Sequence, residues 1–183
     1  VKDVYGNNFG DSYEDAANAV AEVTKQTGLM GEKLQSATEG AMALSDTFGY
    51  DVNESTRAAS ALMNNFGISA EEAYNLIAAG AQNGADQNGD LLDTLNEYST
   101  QYAALGLSAE QFTQSLISGA ESGAFSIDKV GDAVKEFNIR CKDGSESTAE
   151  GFAMIGMNAD DMAQRFAAGG DTAQEAFFQS VQA

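Results

Sequence analysis

Four oxygen-bearing residues, Asp86, Asn88, Asp90 and Glu97, stand at positions 1, 3, 5 and 12 of the spacing used by calcium-binding EF-hand loops. Such a loop wraps its ion only if the sixth position is glycine, because the chain turns sharply there. In this sequence that position is Leu91, which belongs to an apolar helical stripe. The segment therefore reads as a Gly/Asn-rich break between helices, with Asp90 capping the helix that follows.

A second pattern, Gly-apolar-Ser-x-Glu between two helical stretches, is shared with many helix-turn-helix DNA readers. A recognition helix needs Arg or Lys for phosphates and Arg, Lys, Asn or Gln for base edges. No basic residue occurs between Arg57 and Lys129, and the helices after Ser69 and Ser108 open on glutamates. The whole chain carries 28 acids against 9 bases, a net charge of −19. A surface of that charge repels nucleic acid and anionic lipid, so neither is expected as a partner.

Enzymatic chemistry is poorly provided for. The chain has no histidine, the commonest acid–base group and metal ligand. Nucleotide-binding glycine loops and zinc-type cysteine pairs are absent as well. The lone cysteine, Cys141, reads as a small apolar residue, since nothing beside it in the sequence marks a reactive thiol. Gly80/Gly84 and Gly119/Gly123 are small-xxx-small pairs set among polar residues, so they mark helix ends or close packing and not membrane dimers. No apolar run has the length of a membrane span, and no signal peptide is visible. No catalytic, cofactor-binding or metal-ligating residue is assigned, and the chain is not expected to be an enzyme.

What these residues sit on is more legible than what they do. The 183 residues include 31 alanines and 19 glycines but no proline or tryptophan, a composition that favours helix with glycine as the main breaker. Leu34, Ala37, Ala41, Leu44 and Phe48 form a one-faced stripe, as do Leu91, Leu95, Tyr98, Tyr102 and Leu105. Shorter stripes occur at Tyr13, Ala16, Val20 and Val23, at Ile127, Val130, Val134 and Phe137, and at Ala159, Met162, Ala163 and Phe166. The fold class predicted is all-α, about ten short helices joined by tight Gly/Ser-capped junctions. Only Ile139–Lys142 has room for a short extended stretch.

One junction recurs. Phe66-Gly67-Ile68-Ser69-Ala70-Glu71-Glu72 returns as Leu105-Gly106-Leu107-Ser108-Ala109-Glu110-Gln111 and, more loosely, as Ile155-Gly156-Met157-Asn158-Ala159-Asp160-Asp161. The glycine permits the left-handed residue that ends a helix. Ser69, Ser108 or Asn158 caps the next helix, with Glu72, Gln111 or Asp161 at the answering capping-box position. Phe48-Gly49-Tyr50-Asp51 with Glu54 is a degenerate copy, and Ser147 with Glu150 is a further candidate box. Residues 66–98 align on 105–137 at an offset of 39 with ten identities. That period suits stacked helical hairpins, either a solenoid-like array or an irregular bundle. The expected organisation is a frayed leader at 1–10, N-terminal helices at 11–65, and hairpin units at 66–104, 105–143 and 155–183, all possible within a single domain. With Val1 in place of an initiator methionine and a helical pattern running into Ala183, the chain is expected to be an internal fragment.

Several stretches resemble tail tape measure proteins of phages and prophages of Gram-positive bacteria. They are Asn65-Phe66-Gly67-Ile68-Ser69-Ala70-Glu71-Glu72-Ala73, Gly80-Ala81-Gln82-Asn83-Gly84, Leu91-Leu92-Asp93-Thr94-Leu95-Asn96-Glu97-Tyr98 and Gly119-Ala120-Glu121-Ser122-Gly123-Ala124-Phe125. Lys135-Glu136-Phe137-Asn138-Ile139-Arg140, the following Asp143-Gly144-Ser145, and Ala168-Gly169-Gly170 are similar again. The likeness runs from about Thr27 to Val181, and Cys141 departs from it. It implies a virion structural role in tail assembly and tail-length determination, inside the tail lumen after assembly in the host cytoplasm. The partners it implies are the tail tube protein, tail assembly chaperones, and baseplate or distal tail proteins, with homo-oligomerisation also open. The alternative is a helical-repeat adaptor unrelated to phage that binds a protein partner.

Overall fold

A computed structural model describes residues 1–183. It contains eleven helices and no strand: α1 (Lys2–Gly6), α2 (Tyr13–Thr27), α3 (Gly31–Phe48), α4 (Val52–Phe66), α5 (Ala70–Gln82), α6 (Leu91–Ala104), α7 (Ala109–Glu121), α8 (Ile127–Arg140), α9 (Glu146–Met154), α10 (Ala159–Ala168) and α11 (Gly170–Gln182).

From α2 to α8 the helices form two layers. α2, α4, α6 and α8 pack in succession in one, and α3, α5 and α7 in the other, with chain neighbours joined across the layers. The core between them holds Leu62, Ile77, Leu91, Leu95, Leu105, Phe112 and Leu116, all fully buried. Each such side chain contributes roughly 1.5–3 kcal/mol by leaving water. Ala37, Ala41, Ala58, Ala59 and Ala73 are equally buried, so the layers meet on small side chains at several points. The predicted stripes face inward, except that Tyr13 at the head of its stripe is exposed and Ala16 and Val20 of that stripe join a separate small cluster with Met42.

The recurrent junctions take the form their residues dictate. Gly67, Gly106 and Gly156 adopt φ of 70°, 74° and 74°. Ser69 and Ser108 each make a complete capping box, with Glu72 and Gln111 respectively, whereas Asn158 only accepts from the Asp161 N–H. Asp51, after Gly49, accepts from the N–H groups of Asn53 and Glu54. In the small-xxx-small pairs the first glycine lies inside a helix and the second turns the chain, with Gly84 and Gly123 at φ of 80° and 81°.

Several expectations are corrected. Residues 1–10 are not simply frayed: α1 buries Val4 against Ala16, Ala19 and Met42. Residues 139 and 140 continue α8, and Cys141 and Lys142 form a turn. The cap of α9 is Ser145, which accepts from the Thr148 N–H, so Ser147 lies inside the helix and makes no box with Glu150. A serine at 145 follows the Asp143-Gly144 turn directly and captures the helix start first, with Asp143 in turn accepting from the Ser145 N–H. α10 and α11 form the last hairpin, with Gly169 between them. This last hairpin packs through Phe166 and Phe177 on Phe137 of α8. α11 then turns back to α6, and Gln174 Nε2 donates to the Gly106 carbonyl at 3.1 Å and to Gln111 Oε1 at 2.9 Å.

Candidate functional site

Of the four residues with calcium-loop spacing, Asp86 and Asn88 are engaged with separate partners, and Asp90 and Glu97 are not. Asp86 Oδ2 accepts the Tyr50 hydroxyl at 2.7 Å, and its Oδ1 accepts the Leu91 N–H at 3.0 Å. Asn88 Nδ2 donates to the Phe125 carbonyl at 2.9 Å. Asp90 holds the N-cap position of α6 but makes no capping bond; its φ and ψ of −110° and 4° are not the extended pair from which a cap side chain reaches forward. Asp86, four residues earlier, caps α6 in its place. Glu97 lies a turn and more into α6, beside Asp93 and Asp128 in a depression that no hydrophobic residue lines. No three acidic or sulfur side chains converge as a metal-ligand group.

Cys141 is 3% exposed, and its thiol donates to the Asn138 carbonyl at 3.3 Å. Burial pushes the thiol up to about 11, which outweighs the nearby Lys142 ammonium. A thiol so placed is mostly protonated at neutral pH and is a weak nucleophile. Tyr74 is likewise pushed up to about 12 by burial, against its hydrogen bond with Thr56.

The two edges of the layered stack differ in kind. Along one lie the α3–α4, α5–α6 and α7–α8 connections, tied by the Tyr50–Asp86 and Asn88–Phe125 bonds. The starts of α4, α6 and α8 meet there in polar pairs, Arg57 with Asp93 at 2.7 Å and the Tyr98 hydroxyl with Asp128 at 2.8 Å. Along the other lie the α2–α3, α4–α5 and α6–α7 junctions, separated by two open grooves. The first, about 360 Å³, runs between the starts of α3 and α5 over Leu29, Met63 and Ile68. The second, about 250 Å³, shares Ile68 and continues over Phe66 and Leu107 to the start of α7. Its rim residues were visible in the sequence as caps, but their alignment in space depends on the stacking of alternate helices. No helix is long and apolar enough to cross a membrane.

The chain is 31% identical over 146 residues to a probable tape measure protein of Streptomyces phage phiC31, a match covering 80% of this chain and 20% of that protein. It is also 31% identical over 93 residues to the uncharacterized protein YqbO of Bacillus subtilis strain 168, covering 51% of this chain and 6% of that protein. The chain thus spans about a fifth or less of the length of these relatives. No solved structure matches it. The family model for phage-related minor tail proteins matches residues 4–183, and the chain belongs to that family.

Proposed function

We propose that this chain is a helical segment of a tail tape measure protein and acts in tail assembly and length determination without catalysing a reaction. The observation that carries the reading is the likeness, over 80% of the chain, to the phiC31 protein. Length measurement belongs to a whole tape measure protein, so the part assigned to this segment is docking: to tail tube subunits, to tail assembly chaperones, to a baseplate or distal tail protein, or to itself. It acts in the host cytoplasm during assembly and then in the tail lumen. Two physical features suit that place. A net charge of −19 repels DNA that shares the tube. A core with many alanines buries less apolar area per residue than one of larger side chains, which favours a chain able to extend on leaving.

Light scattering and circular dichroism on the purified chain, alone and mixed with tail tube protein or tail chaperone, test this. The expected result is a helical species whose mass rises by self-association or by complex formation with one of these partners. A helical monomer indifferent to all of them would overturn the docking role and return weight to an adaptor unconnected with tails.

A further inference from the structure

We infer that the furrow along the starts of α3, α5 and α7 is the docking surface, and that its occupant is a cationic amphipathic helix of a partner protein lying across those starts. This rests on the docking function proposed above and specifies its surface and the chemistry of the partner.

Continuity comes first. The two grooves meet at Ile68, so Leu29 and Met63 on one side of it and Phe66 and Leu107 on the other carry apolar side chains past three successive junctions. Met30, next to Leu29, is 79% exposed. Met63, in the lining of the first groove, is the kind of flexible side chain that adapts to an incoming apolar face.

Charge selects the partner. Glu32, Glu71 and Glu110 line the two grooves, with Lys33 the single cation among their lining residues, while Glu72 turns back onto Ser69 in its capping box. Each helix start contributes about half a positive charge. The ends of α2, α4 and α6 lie at the same edge and offset those half-charges, which leaves three carboxylates against one lysine, so the furrow has apolar side chains in its lining and is negative at its rim. A partner carrying Leu-type residues on one face and Lys or Arg beside them complements both.

Spacing is consistent with a helix as the occupant. Neighbouring packed helices lie about 8–10 Å apart, and two helical turns advance about 10.8 Å. Apolar residues seven apart on a crossing helix therefore reach successive grooves, and basic residues between them face Glu32, Glu71 and Glu110. The opposite edge offers acid without hydrophobic side chains: the depression there is bounded by Arg57, Asp93, Glu97 and Asp128, and no hydrophobic residue lines it.

The probe is a 21-residue peptide of Leu and Lys with leucines on one helical face, titrated into isotopically labelled protein and followed by amide chemical shifts. Shifts are expected in residues 29–36, 63–72 and 103–111. Ile68→Asp separates the surface from bulk charge: it adds an acid, so attraction by charge alone would tighten binding, whereas loss of the apolar side chain weakens it about tenfold or more. Glu71→Lys with Glu110→Lys is expected to weaken binding as well, and Asp93→Asn on the other edge to leave it unchanged. Retained helicity of Ile68→Asp is checked by circular dichroism, and the exposed Glu71/Glu110 pair serves if that variant unfolds. Shifts centred on the α4, α6 and α8 starts, or binding unchanged or tightened by Ile68→Asp, would overturn the furrow. A tail partner that binds wild type and Ile68→Asp equally would overturn the furrow and leave the docking function intact, while absence of any tail partner would remove that function.

Discussion

Gly119 of α7 and Val130 of α8 face each other so closely that a methyl group on the glycine would stand 2.6 Å from Val130 Cγ2. Thirty-nine residues earlier, Gly80 of α5 faces Leu91 of α6 in the same way, at 3.1 Å from Leu91 Cδ2. The two helix pairs thus close on corresponding residues, a glycine against a branched aliphatic.

Substituting these glycines separates packing from helix propensity. Alanine gains about 1 kcal/mol over glycine within a helix. At Gly119 the obstacle is a β-branched valine with little freedom at χ1, so overpacking of about 1–3 kcal/mol dominates and Gly119→Ala destabilises. At Gly80 the obstacle is the tip of a leucine, which can shift by tenths of an ångström, and Gly80→Ala is expected within about 1 kcal/mol of wild type. Urea unfolding of the two variants checks the difference.

The capping boxes predict a contrast in pH. Glu72 accepts from both the backbone N–H and the hydroxyl of Ser69, which holds its carboxyl below the usual glutamate range. A lowered folded value stabilises above the ordinary glutamate pKa, and the contribution disappears as pH falls through the lowered one. Ser69→Ala should therefore cost most at neutral pH and progressively less below about pH 4. The equivalent box uses Gln111, so Ser108→Ala should cost about 1 kcal/mol with little pH dependence. Unfolding midpoints across pH for the two variants decide this, and Glu72→Gln should flatten the first profile.

Asp86 joins Tyr50 to the start of α6, and its two oxygens are worth different amounts. Tyr50→Phe removes one hydrogen bond, about 1 kcal/mol. Asp86→Ala also strips the Leu91 N–H of its cap and should cost about 2–3 kcal/mol. Because both oxygens are engaged, calorimetric titration with calcium at micromolar concentration is expected to give no binding heat.

Cys141 supplies a probe of the C-terminal packing. With the thiol raised to about 11 and buried, a disulfide reagent such as DTNB should react slowly with native protein at pH 8 and promptly in urea. Fast native labelling would show that α9–α11 open readily.

The helices and the capped junctions were legible because both are local: an apolar residue every three or four positions, and a glycine followed by a serine and an acid three residues on. Asp90 and Ser147 show where local reading fails. Each looked like a cap, but Asp86 and Ser145 stood nearby with backbone angles or turns that reached the helix start instead. Val4 was missed because a single valine among polar residues gives no periodicity, and only Met42 and Ala16 in space make it a core residue. The furrow was illegible for a related reason. Ile68 reads as one apolar residue after a glycine, and its position between Met63 and Leu107 depends on which helices stack.

The return of α11 has a mechanical consequence. Gln174 reaches back 68 residues to the Gly106 carbonyl, so the segment between them is closed into a loop by the contact of α11 with the α6–α7 junction. Tension applied at the chain ends would pass through that clasp and not through α7–α10. Once the clasp parts, about 240 Å of further chain becomes extensible at about 3.5 Å per residue. The protein under load is thus a tether with stored length, released when the clasp parts.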